Sequence, residues 1–164
     1  MTVRLPKPFI QILESSYRIR GYNIMEAYLD KTEHKNSIYN NITDLRGYLN
    51  LTDNDSVCDC YCIVNINNLG KKGFLFEDKN TKHMRDIFNA RIQLQKTCKN
   101  LLEKGKNVDY AILCNIQLES SFKCGKKGEL PAKPLFHVQN NKQIFIEGII
   151  NLGGQRVPLL YYKE

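Results

Sequence analysis

The chain has 164 residues, 42% of them hydrophobic, with 24 Lys and Arg against 17 Asp and Glu, a formal charge of +7. That length and apolar content suit one domain with a real core and exclude collagen-like and wholly disordered chains. The positive excess favours an anionic partner such as nucleic acid; the alternative is a solvated basic face.

The opening MTVRLPKPFIQ lacks the apolar core of a signal peptide, and no run approaches the ~20 apolar residues of a membrane span. The expectation is a soluble, intracellular protein without a membrane partner, its six cysteines reduced. After a basic, proline-broken lead-in, Phe9 to Ser15 suits a short helix. Tyr17 to Tyr22 alternates like a strand, and Ile24 to Leu29 suits a helix. Thr43 to Leu51 reads as a strand with a bulge or bend at Gly47, followed by a turn over Thr52 to Ser56. Val57 to Ile66 reads as a second strand with Cys58, Cys60, Cys62, Val64 and Ile66 on one face.

A loop over Asn67 to Gly73 leads to a short apolar strand, Gly73 to Glu77. A long amphipathic helix follows over Asn80 to Lys104, with Asn80 as N-cap and Gly105 suited to the left-handed position past its end. Val108 to Glu119 alternates apolar and polar residues as a strand with one face buried. After a basic loop, Ser120 to Pro134, the segments Leu135 to Gln139 and Lys142 to Leu152 flank Asn140-Asn141 as a hairpin. The tail from Gly153 is partly apolar.

Three strands, a long helix and two more strands describe a mainly β chain. The expected fold is a five-stranded OB-fold barrel with the helix between strands 3 and 4. Residues 1–42 form an N-terminal extension, 43–152 the barrel and 153–164 a tail. The alternative on the same elements is a helix packed on an open antiparallel sheet.

Zinc at Cys58, Cys60 and Cys62, completed by Cys124 or His137, is weighed against buried reduced thiols. Alternate residues on a strand point their thiols along one face, about 7 Å apart, too far to converge on one tetrahedron without distortion, so no metal or other cofactor is expected. No nucleophile constellation surrounds His34, His83 or His137, and no paired catalytic carboxylates stand out, so the chain is not expected to be an enzyme. Gly70-Lys71-Lys72-Gly73 and Gly125-Lys126-Lys127-Gly128 lack the spacing of a phosphate loop. The candidate nucleic-acid surface comprises Lys71, Lys72, Lys123, Lys126, Lys127 and Lys133 for phosphates, with Tyr61, Phe74 and Phe136 to stack bases. A candidate partner interface comprises Leu113, Phe145 and Ile149 with Leu159, Leu160 and Tyr161 of the tail.

The strand order over 43–152, the chain length and the opening Leu5-Pro6-Lys7-Pro8 resemble the small, TEN-type OB-fold subunits of CST telomere complexes, a group with ciliate telomerase-associated members. The long helix is a departure from that pattern. The resemblance implies a nuclear, non-catalytic subunit that assembles as a hetero-oligomer with a larger OB-fold protein and supports single-stranded telomeric DNA binding. A replication-protein-A-like small subunit or an RNA-associated basic domain is the alternative.

Overall fold

The computed structural model describes residues 5–15, 21–34, 42–81, 83–116, 143–152 and 155–163. The elements run α1 (Lys7–Ser15), β1 (Tyr22–Leu29), β2 (Thr43–Asp44), α2 (Leu45–Tyr48), β3 (Cys60–Ile66), β4 (Gly70–Thr81), α3 (Met84–Glu103), β5 (Tyr110–Ile116), β6 (Gln143–Leu152) and β7 (Gln155–Lys163). The strands form one sheet in the order β2-β1-β3-β4-β5-β7-β6. It is mixed: β3 runs antiparallel to both its neighbours β1 and β4, whereas β5 runs parallel to β4 and β7 parallel to β5. The chain is thus mainly β with helices, as expected, but the sheet is open and the expected closed barrel is absent.

The long helix explains the difference. Parallel neighbours need a crossover, and α3 supplies it between β4 and β5. Both sheet faces are then covered. On one, α1 lays Phe9, Ile12 and Leu13 against Cys60, Cys62, Val64, Phe74, Phe76 and Ile112, with the Phe9 and Phe76 rings stacked at 4.7 Å. On the other, Ile87, Ala90, Leu94, Cys98 and Leu101 of α3 cover Tyr61, Leu75, Ala111 and Leu113. Strand parity decides the partition, since alternate residues of β3 and β4 face opposite layers.

Several boundaries move for local reasons. Segment 22–29 is one continuous strand inside the sheet, because pairing with β3 overrides the helical pattern of its second half. The expected strand from Thr43 stops at Asp44, whose carboxylate accepts the Gly47 N–H and caps a single turn of helix, so Gly47 marks no bulge. Strand β4 starts earlier than expected, at Gly70. A tight turn with Asn68 and Gly70 at positive φ folds it directly onto β3. It also ends later, so Asn80 lies in the strand and His83 takes the N-cap without a side-chain bond. The helix ends as expected on Gly105, at φ 76°, with Lys106 N–H on Leu101 O and Gly105 N–H on Leu102 O. The tail forms a strand, β7, paired antiparallel with β6; residues 135–139 and the Asn140-Asn141 turn lie outside the described residues. Among the described residues no helix is long and apolar enough to cross a membrane.

Candidate active site

The register of β3 against β4 sets Cys60 opposite Phe76. One step further out, Asp59 and Glu77 come together on the α3 side of the sheet, 18 positions apart in the chain. Each carboxylate grips the other strand's backbone. Glu77 Oε2 accepts the Asp59 N–H at 3.0 Å, and Asp59 Oδ2 accepts the Asp78 N–H at 2.8 Å. These bonds fix both side chains and leave one oxygen of each for other partners. Glu77 Oε1 lies 3.8 Å from the Lys79 ammonium, and Asp59 Oδ1 lies 3.9 Å from His34 Nε2. Lys79 follows Glu77 by two residues on β4 and therefore shares its face.

Both acids are deeply buried, Asp59 8% and Glu77 3% exposed. Burial pushes the Asp59 carboxyl up to about 6, against the Asp78 N–H bond and the His34 charge, which favour its ionised form. Burial pushes Glu77 up to about 9, and the neighbouring Asp59 charge adds to it more than Lys79 relieves. With Glu77 holding its proton beside an ionised Asp59, a further cation would be needed to ionise both acids at once.

The surroundings hold the pair rigidly. The Asp30 N–H, just past β1, bonds Asp59 O at 2.8 Å. The Asp30 carboxylate accepts from Thr32 N–H, turning the chain back so that His34 faces Asp59. It also takes a two-pronged bond from Arg46, whose remaining nitrogen donates to Thr52 O and Asp55 O at 2.8 and 2.7 Å. From the helix layer, the Thr97 hydroxyl accepts the Cys58 N–H at 2.8 Å and donates to Gln93 O. One turn earlier on α3, Gln93 Oε1 is buried and without a hydrogen-bond partner.

Among the described residues, those singled out from the sequence fall elsewhere. Lys71 and Lys72 are on the outer end of β4, paired with Asn65 and Val64. From Lys72 to Glu77 the strand rises about 17 Å, so they do not reach the acidic pair. Tyr61 and Phe74 are fully buried, Tyr61 under α3 and Phe74 under α1, and cannot offer a ring to a base. Leu113 is likewise core beneath α3, not a partner surface. Phe145, Ile149, Leu159, Leu160 and Tyr161 belong to β6 and β7, but their side chains lie outside the described residues, as do Lys123, Cys124, Lys126, Lys127, Lys133, Phe136 and His137. Cys58, Cys60 and Cys62 are fully buried free thiols, and burial pushes all three well up. Only Cys60 and Cys62 share a face; Cys58 precedes the strand and turns into the opposite core.

The acidic pair was missed because its members sit far apart in the chain. The available signal was Phe74-Leu75-Phe76 running straight into Glu77-Asp78-Lys79, a buried strand that ends in alternating charges. Among the described residues no group of three or more His, Cys, Asp or Glu forms a ready-made metal cage. Two hard carboxylates nonetheless suit Mg2+, which keeps several waters and binds through one or two carboxylates together with substrate phosphate. No known family, characterised protein or solved structure matches the chain.

Proposed function

We propose that the protein is a divalent-cation-dependent phosphodiesterase acting on nucleic acid, with Asp59, Glu77 and Lys79 at its centre. The observation that carries this reading is the pair of buried carboxylates, each fixed by the other strand's backbone N–H, with a lysine beside one free oxygen. A purely structural pair is a poor alternative. Two neighbouring buried acids with raised carboxyls are an arrangement that concentrates at functional sites. A carboxylate pair alone would equally suit a glycosidase; Lys79 and the chain's +7 charge favour an anionic substrate instead.

Asp59 and Glu77 would hold the cation through Oδ1 and Oε1. When bound, a divalent cation polarises a phosphoryl oxygen and makes water a usable nucleophile at neutral pH. Lys79 is placed to meet the negative charge that builds on the phosphoryl oxygens. Water adds to phosphorus, one ester P–O bond breaks, and the departing oxygen takes up a proton. His34 Nε2 lies 3.9 Å from the same Asp59 oxygen, Oδ1.

The test is cleavage of end-labelled single-stranded DNA, duplex DNA and RNA with Mg2+ or Mn2+. Cleavage that EDTA stops, and that Asp59→Asn, Glu77→Gln and Lys79→Ala each lower by about 100-fold or more, is the expected result. Wild-type protein inert on all three substrates with both metals would sink the reading and leave the non-catalytic assembly role in its place. Cleavage unchanged in Asp59→Asn and Glu77→Gln would place the chemistry elsewhere.

A further inference from the structure

Helix α3 buries Ile87, Ala90, Leu94, Cys98 and Leu101, yet its opposite side is not simply polar. Phe88 is 55% exposed and Ile92 43%, and both are among the few large apolar side chains the described surface exposes. They are four residues apart, one turn of the same face. Arg85, Lys96 and Lys99 fall on that face too, because positions 85, 88, 92, 96 and 99 follow the helical repeat. The result is a stripe about 21 Å long with an aromatic and an aliphatic centre, Arg85 at one end and Lys96 and Lys99 at the other, with Glu103 one turn beyond Lys99. Among the described residues none of the three cations is held in an ion pair.

The occupant follows from the chemistry. A second copy of the helix would set cations against cations at both ends of the stripe, which disfavours self-association. A polyanion with flat apolar groups meets both demands: phosphates on Arg85, Lys96 and Lys99, and a base on the Phe88 ring. Stacking on a side chain requires an unpaired base, so a single strand is favoured over a duplex. The helix starts where the strand carrying Glu77 and Lys79 ends, tied there by the Thr81 hydroxyl on Asp86 at 2.8 Å. We infer that the Arg85–Phe88–Ile92–Lys96–Lys99 face of α3 is a binding track for single-stranded nucleic acid. The inference rests on the phosphodiesterase reading for its role as a substrate track, but its binding surface is tested separately.

The experiment is fluorescence anisotropy with a 5′-fluorescein oligo-dT strand, free and annealed to oligo-dA, in EDTA so that nothing is cleaved. Phe88→Ala should weaken single-strand binding roughly tenfold or more, the scale of one lost stacked base, and Phe88→Trp should restore it. Lys96→Ala with Lys99→Ala should flatten the log-log salt dependence by about 1.4, from two single-strand phosphate contacts. Both sites are exposed and Ala favours helix, so circular dichroism should show an unchanged fold. Single-strand affinity within about twofold of wild type in Phe88→Ala would overturn the inference, whatever the cleavage assay shows. Loss of binding in Phe88→Ala with a wild type that never cleaves would keep the track and sink the catalytic reading.

Discussion

Glu77→Gln separates a functional acid from a structural one, because the two roles predict opposite changes in stability. The native carboxyl, raised to about 9 by burial and by Asp59, holds its proton far above the ordinary value of 4.5. The native state therefore binds more protons than the unfolded chain between these values. Its contribution to stability is complete below about pH 4.5 and is lost as pH rises towards 9. Between about pH 5.5 and about pH 8.5 the linkage bound is about 1.4 kcal/mol per pH unit, which gives a loss on the order of 2–4 kcal/mol. Gln is the same size, stays neutral, and offers its oxygen to the Asp59 N–H that Glu77 Oε2 now accepts. In metal-free buffer the variant should match wild type near pH 5.5 and exceed it near pH 8.5 by about the same 2–4 kcal/mol. Millimolar Mg2+ should close that gap by stabilising wild type alone. Urea denaturation followed by circular dichroism at both pH values, with and without Mg2+, reads every term. Groups that titrate alike in both proteins cancel in the difference. A variant less stable than wild type near pH 8.5, or one with the same pH slope, would refute the argument.

Three further changes probe the frame around the pair. Arg46→Ala leaves Asp30 buried without its partner and frees Thr52 O and Asp55 O, so chemical denaturation should show a loss of about 3–5 kcal/mol; Arg46→Lys should recover little, lacking the planar fork. Gly73→Ala drives a methyl into the Asn107 carbonyl, which Tyr61 OH also bonds. Because that obstacle is backbone, thermal melts should fall by the equivalent of about 2–4 kcal/mol. Thr97→Val strands the buried Cys58 N–H, and urea curves should show a cost of about 1–3 kcal/mol; any cleavage activity should fall with it, since Cys58 leads directly into Asp59.

What the sequence made legible was mostly local. The amphipathic α3 and its Gly105 stop carry their pattern within one element, and β5 is a strand as expected, although both of its faces are buried, Ala111 and Leu113 on one and Ile112 and Cys114 on the other. What it concealed was pairing. The segment 22–29 has a helix-like second half, and only its partner β3 makes it a strand. The open mixed sheet follows from β5 lying parallel to β4, a choice made by the crossover and invisible in any single strand. The aromatic rings expected to stack bases are buried for the same reason. Tyr61 and Phe74 belong to the middle strands of a sheet covered on both faces, a setting that absorbs large apolar side chains.

That double covering also explains how the acidic pair is built. Here α3 closes over one face, with Thr97 pinned to the backbone just before Asp59, and the turn after β1 closes the edge through Asp30 and Arg46. Both acids lose water, and their carboxyls rise because of it. The strained electrostatics are therefore a product of the α-β-α layering and not of the two residues alone. It follows that loosening either cover, by Thr97→Val or Arg46→Ala, should let water in and lower the Glu77 carboxyl towards its ordinary value. The stability difference between pH 5.5 and pH 8.5 would then shrink in those backgrounds, while Gly73→Ala, at the far end of β4, would leave it intact.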